Sequence, residues 1–448
     1  MKNSLTMKQN SLFFFLCFVV VFFAQAQEKL TKEEAIAITL EENYDIEIAT
    51  NDLEVAENNA SVLNSGYLPQ VYGSAGANYD IQNRLQQRNG QEATELKDAE
   101  SKAYNASLNL EYTLFDGLGR LYNYKRLQES YNLTGLQVRE TIENTVLQLF
   151  SVYFEVARLT ENVQILEETI ETSRNRVTRS EYAFDFGQAT GLEVLNARVD
   201  VTNDSIALLN ARQQLKNTKR DLNVVMGRDM ETGFSVDTLV SFIPALTLKT
   251  YLDESLQNNV NILQSESNIQ LSEFDIKVSK SGYLPTVGLI GSYGWNKNIS
   301  PPNPIFNAPG STSRVTGLSA GVNLRWNLFD GGGTINSVRN AKINKESSLL
   351  AKEQVKLNIQ RDIANAWGNY QNSLEVYEIQ EQNVITNQNN FERSEERFKI
   401  GQITSIEYRQ AQINLINAKT NKNLAKYDAK LAELQLLQLV GQLLNVEF

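Results

Sequence analysis

The sequence predicts an α+β membrane protein built from long antiparallel helical hairpins and pairs of membrane-crossing strands, laid out twice in tandem. Three observations predict it. A set of short landmarks recurs at nearly one offset. Proline is absent from two spans long enough to hold very long helices. Two segments alternate apolar and polar residues over the length a strand needs to cross a bilayer.

Ser65-Gly66-Tyr67-Leu68-Pro69 recurs as Ser281-Gly282-Tyr283-Leu284-Pro285, and Leu114-Phe115-Asp116-Gly117 as Leu328-Phe329-Asp330-Gly331. Gly187-Gln188-Ala189-Thr190 recurs as Gly401-Gln402-Ile403-Thr404, with Glu193 and Ala197 matching Glu407 and Ala411. Met226-Gly227 matches Val440-Gly441. A unit of about 200 residues is too long for a solenoid repeat. The expected organisation is a processing segment at 1–26, a first copy at 27–227, a linker at 228–248 around Pro244, and a second copy at 249–448.

The N-terminus carries the marks of export. Lys2 and Lys8 precede an apolar run from Leu12 to Phe23, and Ala24-Gln25-Ala26 is a small-residue cleavage site. The run is short for a transmembrane helix, which needs about 20 residues. Leu16 before Cys17 argues against lipidation, so the exported chain, starting near Gln27, holds no cysteine.

None of the 7 prolines lies in 70–243 or 310–448. Within 142–170 the apolar positions Ile142, Val146, Leu149, Tyr153, Val156, Val163 and Ile170 step by four and three, with Thr160 and Glu167 in the gaps. Val355, Ile359, Ala366, Tyr370 and Tyr377 form a looser version in the second copy. A helix over 120–184 would be roughly 95 Å long, too long for a globular core, so it must pack beside others. Helices are expected at 31–64 and 190–226, then at 249–280, 334–399 and 404–440. Pro69 ends the first of these, because the residue before proline avoids helical geometry.

Between helices lie strands. In 107–115, Leu108, Leu110, Tyr112 and Leu114 face one way and Ser107, Asn109, Glu111 and Thr113 the other. In 318–328, Leu318, Ala320, Val322, Leu324, Trp326 and Leu328 oppose Ser319, Gly321, Asn323, Arg325 and Asn327. Period two over nine to eleven residues suits a strand with lipid on one side and water on the other. Gly-rich partner strands are expected at 71–79 and 287–295, with loops at about 80–105 and 297–316 on the outside. Four strands cannot close a barrel, and an open edge is not tolerated in lipid, so chains must share one.

Composition narrows the function. The 448 residues include 42 basic and 53 acidic side chains, no His and one Cys, for a net charge of -11. Ser-His-Asp and Cys-His catalysis, His-ligated metals and Cys-cluster zinc are excluded. The acidity argues against a nucleic-acid surface. Asp330-Gly331-Gly332-Gly333-Thr334 lacks the lysine of a phosphate loop and reads as a strand-to-helix turn, as does Asp116-Gly117-Leu118-Gly119. Phe448 follows a helical pattern rather than a strand, which argues against a C-terminal barrel-assembly signal. Paired carboxylates such as Glu167-Glu168 or Glu395-Glu396 read as solvated helix faces. No catalytic residue, cofactor or metal is expected.

The order and duplication of these parts resemble the TolC-like outer-membrane efflux protein family across the whole exported chain. The resemblance implies a homotrimer with a 12-stranded barrel in the outer membrane of a Gram-negative bacterium and a helical tunnel in the periplasm. It implies a passive exit duct in a tripartite efflux or type I secretion system, partnered by a periplasmic adaptor (membrane fusion) protein and an inner-membrane efflux transporter. In the strands, Leu108, Leu110, Tyr112, Leu114, Val322, Leu324, Trp326 and Leu328 would meet outer-membrane lipid. At the hairpin tips, Phe184, Gly187, Thr190, Phe398, Gly401 and Thr404 would meet the adaptor. Glu407 would line the periplasmic entrance, its charge ring raising the carboxylate pKa or attracting cations. Gln410 stands where the family also carries acid, and Glu193 is the equivalent in the first copy. The competing reading is a non-conducting coiled-coil anchor of the outer membrane.

Overall fold

A computed structural model describes residues 28–446 except 88, 91 and 303–307. The expected leader at 1–26, part of the second outer loop and Phe448 lie outside the described residues. Two compact units are present. The first comprises Met1–Asn51, Leu136–Leu263 and Gln354–Phe448, the second Asp52–Gly135 and Gln264–Glu353.

The first unit is helical, and its heptad seam is buried. Val146, Leu149, Tyr153 and Val156 are at most 1 % exposed, and Phe150, Phe154 and Ala157 widen the buried face. These lie on α3 (Gly119–Asp185), which turns back into α4 (Gly191–Val225). The second copy supplies α7 (Gly333–Lys399) and α8 (Ser405–Leu439). From the second copy, Tyr370, Tyr427, Leu434, Leu436 and Leu437 enter the same core.

The helices expected at 31–64 and 249–280 are each interrupted. Lys32–Glu42 (α1) is followed by Tyr44–Asn59 (α2), and Ala245–Asn258 (α5) by Val260–Ser281 (α6). The cause is one asparagine in each. The Asn43 amide donates to the Val225 carbonyl at 2.7 Å, and its oxygen accepts from the amides of Asp45 and Ile46. Asn259 does the same with Leu439 at 2.8 Å and with Asn261 and Ile262. Each side chain ends one helix, caps the next and ties the joint to the end of a long helix.

The 228–248 segment is more than a linker. Phe234–Val236 (β4) pairs in parallel with Glu28–Leu30 (β1), and α5 begins within it. The buried Tyr153 hydroxyl fixes this pair, donating to the Leu30 carbonyl at 2.8 Å and accepting from the Asp237 amide at 3.0 Å. Further along, the Glu433 carboxylate accepts the Ile243 amide at 2.8 Å while Lys430 donates to the Ser241 carbonyl.

The second unit holds an antiparallel sheet in the order β2 (Gln70–Gln86), β3 (Thr94–Asp116), β5 (Thr286–Ser300), β6 (Ser311–Arg325). The strands reach well into the expected outer loops. Residues 80–86, 94–105, 297–300 and 311–316 are strand, with a bulge between Gln82 and Arg84, because polar sequence pairs as readily as apolar alternation where water is available. At the other end of the sheet, Asp116 and Asp330 cap the long helices. Asp330 accepts from the Gly332 and Thr334 amides and the Thr334 hydroxyl, so its own carboxylate fills the glycine loop. At Gly117, with φ +69°, a Cβ would sit 2.6 Å from the Ser281 carbonyl oxygen.

Candidate functional site

Two places gather the residues that the sequence singles out: the sheet and the hairpin tips. The sheet register sorts side chains by face, since paired residues share one. Val71, Leu110, Gly291 and Ala320 form one row, Gly73, Leu108, Tyr293 and Leu318 the next, and Tyr112, Leu289 and Val322 a third. Leu324 pairs with Val287 on the same face. The opposite face is hydrogen-bonded. Tyr72 donates to Glu111 at 2.8 Å, Ser74 and Ser107 meet at 2.8 Å, and Ser292 donates to Asn109 at 2.9 Å.

Three of the expected apolar positions depart from this register. The pairing shifts between Thr113 and Phe115, leaving Leu114 in the irregularity and putting Phe115 opposite Val287. β6 stops at Arg325, so Trp326 and Leu328 lie beyond the strand. There the Trp326 indole donates to the Tyr283 carbonyl at 3.1 Å, and the chain turns towards α7. A bulge and a strand end are set by cross-strand partners, which alternation within one segment does not reveal.

At the tips, Gly187 and Gly401 take φ of +72° and +76°, the left-handed conformation that ends a helix. The next residues close the turn: Gln188 donates to the Ala183 carbonyl at 2.7 Å and Gln402 to Arg397 at 2.9 Å. Thr190 and Thr404 then cap the returning helices. Thr404 and Glu407 form a reciprocal box. The Glu407 amide donates to the Thr404 hydroxyl oxygen at 3.2 Å, and the Glu407 carboxylate accepts from the Thr404 amide at 2.8 Å. These bonds, with Arg397 nearby, hold the Glu407 carboxyl below the usual carboxylate range. Within one chain the shift is therefore opposite to the one a like-charge ring would impose. The Glu193 amide reaches Thr190 at 3.4 Å. Gln410 is exposed and donates to Asn414 at 2.9 Å.

Phe184 is exposed, but Phe398 is not free. It stacks on Tyr408 at 4.8 Å and 10°, with the Arg179 guanidinium 5.5 Å from its ring, while Arg179 also donates to the Lys399 carbonyl. The apolar surface of the tips comes instead from Phe186, Leu192, Ile400 and Ile406, each more than 60 % exposed. An open groove of about 920 Å³ between the tips is lined by Phe186, Leu192, Phe398 and Ile406, among others. Their flanking of the tip glycines was the available signal.

Sequence reasoning also missed a buried charged cluster. Arg409 on α8 grips Asp204 on α4 with bonds of 2.6 and 2.9 Å, Asp204 accepts from Ser173 on α3 at 2.6 Å, and Arg176 pairs with Asp200. Gln412 adds a bond to Ser173 at 3.2 Å. Asp200 and Asp204, four apart on a helix whose neighbouring turns bury Val194, Ala197 and Leu208, were the legible clue. The cluster ties the hairpins of the two copies together.

A sheet with one apolar and one hydrogen-bonded face, joined to hairpins of 67- and 35-residue helices, defines the class of outer-membrane channels with a helical extension. The outer membrane efflux protein model matches residues 35–228 and 251–442, and the chain belongs to that family. It is similar to the outer membrane protein TolC of Vibrio cholerae, 23% identical over 383 residues, which are 85% of this chain and 83% of that protein. It is also similar to the outer membrane efflux protein BepC of Brucella suis, 20% identical over 94% of this chain and 87% of that one. The crystal structure of the Campylobacter jejuni CmeC outer membrane channel shares the fold, with a TM-score of 0.72 at 18% identity over 92% of this chain and 86% of that one. The protein is thus an outer-membrane channel protein, from a family of channels rather than enzymes.

Proposed function

We propose that three copies of the chain assemble into a passive exit duct, which receives its substrate from an inner-membrane transporter through a periplasmic adaptor protein. One observation carries the reading: among the described residues, a four-stranded sheet with an apolar face ends in two strands, β2 and β6, that each pair on one side only. Unpaired backbone cannot be left in lipid, so neighbouring copies complete the barrel. Eight strands from a dimer would be filled by side chains, whereas twelve leave room for a lumen. Ile343, Leu350 and Leu357 support the same conclusion. Seven residues apart on α7, they are 52%, 67% and 66% exposed in a single chain, a seam that a neighbouring helix would cover.

In this reading the Leu108, Leu110, Tyr112, Val322 and Leu324 face meets lipid, and the Asn109, Glu111, Asn323 and Arg325 face meets the lumen. The tip surface around Phe184, Phe186, Ile400 and Ile406, with the Gly187–Thr190 and Gly401–Thr404 turns, receives the adaptor. Three Glu407 carboxylates, kept ionised by their own caps, form a cation-attracting ring at the entrance. Glu193 sits away from that ring. The duct performs no catalysis.

The test combines mass and conductance. The protein in detergent is expected at the mass of three chains and conducts ions in planar bilayers. Glu407→Gln lowers cation selectivity and divalent block, and Glu193→Gln leaves both in place. A stable folded monomer, or a trimer that never conducts, overturns the duct. Equal behaviour of wild type and both variants overturns the ring alone.

A further inference from the structure

Beyond the row that holds Trp295, the apolar face of the sheet turns basic. Its pairing runs from the row of Ala106, Trp295 and Thr316 to a row of Ala77, Tyr104, Lys297 and Arg314, then to one containing Tyr79 and Lys102. Lys297 lies 5.9 Å from the Tyr104 ring centre and Lys102 lies 5.1 Å from that of Tyr79. Glu100 lies 3.6 Å from Lys102, and among the described residues of these rows the three cations leave the face with an excess of positive charge. The opposite face at the same height carries Asn78, Ala103, Asn298 and Ser313, then Asp80 and Ser101, and no cation.

Charges on a channel strand are at ease in the water-filled interior, yet these three cations share the side of Leu108, Leu110 and Leu318. Their height is also particular. Ten residues separate Val287 from Lys297 and Leu324 from Arg314. At ~3.3 Å per residue and a tilt of ~40°, ten residues climb about 25 Å, the height of the apolar band of an outer-membrane barrel. The basic row therefore falls where the hydrocarbon ends, at the end of the sheet remote from the capped helices.

We propose that Lys102, Lys297 and Arg314 form a binding site for the phosphate groups of a glycolipid in the outer leaflet, whose acyl chains lie along the Tyr293, Leu108 and Leu318 surface beneath. The proposal rests on the reading that this face meets lipid. The cations supply charge complementarity to phosphate, and the arginine adds a planar fork suited to two phosphate oxygens. Tyr79, Tyr104 and Trp295 supply the amphipathic rings that sit at headgroup level. Inorganic phosphate would engage only the charged half of such a site.

In the test, purified full-length protein is offered bisphosphorylated lipid A, its fully dephosphorylated counterpart or inorganic phosphate, and bound ligand is counted by native mass spectrometry. Wild type is expected to retain the bisphosphorylated lipid and release the dephosphorylated one. Each of Lys102→Gln, Lys297→Gln and Arg314→Gln weakens retention about fivefold, and the triple variant about a hundredfold. An unchanged native oligomer mass shows that the variants fold. Equal retention by the triple variant overturns the site, and displacement of the lipid by millimolar inorganic phosphate overturns its lipid nature. Brominated acyl chains are expected to quench Trp295 fluorescence in a Trp326→Phe, Trp367→Phe background. Absent quenching overturns the lipid-face reading itself. Quenching combined with unaltered lipid A retention overturns the phosphate site alone.

Discussion

At Asn43 and again at Asn259, an asparagine breaks a helix, caps its continuation and holds the end of a long helix by one carbonyl. The glycine after that helix, Gly227 or Gly441, takes a left-handed conformation against the carbonyl just before the asparagine. The two copies are nearly superposable in chemistry there. At the hairpin tips they are not. Thr404 and Glu407 close a reciprocal box, whereas Glu193 meets Thr190 only through its hydroxyl, in two long bonds of 3.4 and 3.5 Å, and leaves the Thr190 amide unbridged. The contrast shows what a duplication must keep. Where backbone meets backbone, few side chains fit, and both copies retain the same ones. Where a turn ends in water, each copy is free to take its own chemistry and role.

The sharpest way to break this comparison is at the glycines. A Cβ on Gly227 would sit 2.0 Å from the Glu42 oxygen, and one on Gly441 2.4 Å from that of Asn258. Steric overlap plus left-handed strain gives about 3–5 kcal/mol for either Gly227→Ala or Gly441→Ala. Thermal melts of the detergent-solubilised protein should show similar losses for both. A benign result at one site alone would end the equivalence of the joints.

Asn43→Ala and Asn259→Ala probe the same joints more gently. Each removes two capping bonds and a tie to a buried carbonyl, for about 2 kcal/mol. Hydrogen exchange should rise in the turns around the substituted joint and leave the other joint protected. Arg139 sharpens the pairing, because it donates to both the Asn258 and Gly441 carbonyls at 3.0 and 3.2 Å. The second joint is therefore expected to lose less protection than the first.

The smallest effects belong to the tips. Thr404→Ala should cost about 1 kcal/mol and Thr190→Ala about half of that, read as local exchange in the first turn of each returning helix. The Glu407 carboxyl is held below its ordinary pKa, so its contribution is complete above the usual carboxylate range. It is lost as pH falls through the lowered value. Protection at the second tip should follow that profile and flatten in Glu407→Gln.

Much of the fold was legible. The long helices end within a residue or two of where glycine, threonine and the strand patterns put them, and the seam from Val146 to Ile170 is buried as its spacing requires. The breaks at Asn43 and Asn259 were not legible, because an asparagine inside a helical pattern gives no sign of the distant carbonyl it will meet. The strands outran their expected ends because their outer portions scatter apolar residues such as Ile81, Leu85 and Val315 among charged and polar ones, which removes the apolar alternation but not the pairing. At the tips, the turn glycines and caps were visible in sequence. The inward packing of Phe398 was not, since it depends on Tyr408 and Arg179 closing over its ring.

The long helices have 67 residues in both copies, and the returning helices have 35 in both. One inserted residue advances everything beyond it by about 1.5 Å and rotates it by about 100°. A single insertion in α3 would swing Ser173 and Arg176 away from Asp204 and Asp200, while α7 kept its own phase. Length in this molecule is therefore inherited as a matched pair. Natural variants should gain or lose residues in the strand-to-strand loops, and should change a helix only by seven or eleven residues, in both copies at once.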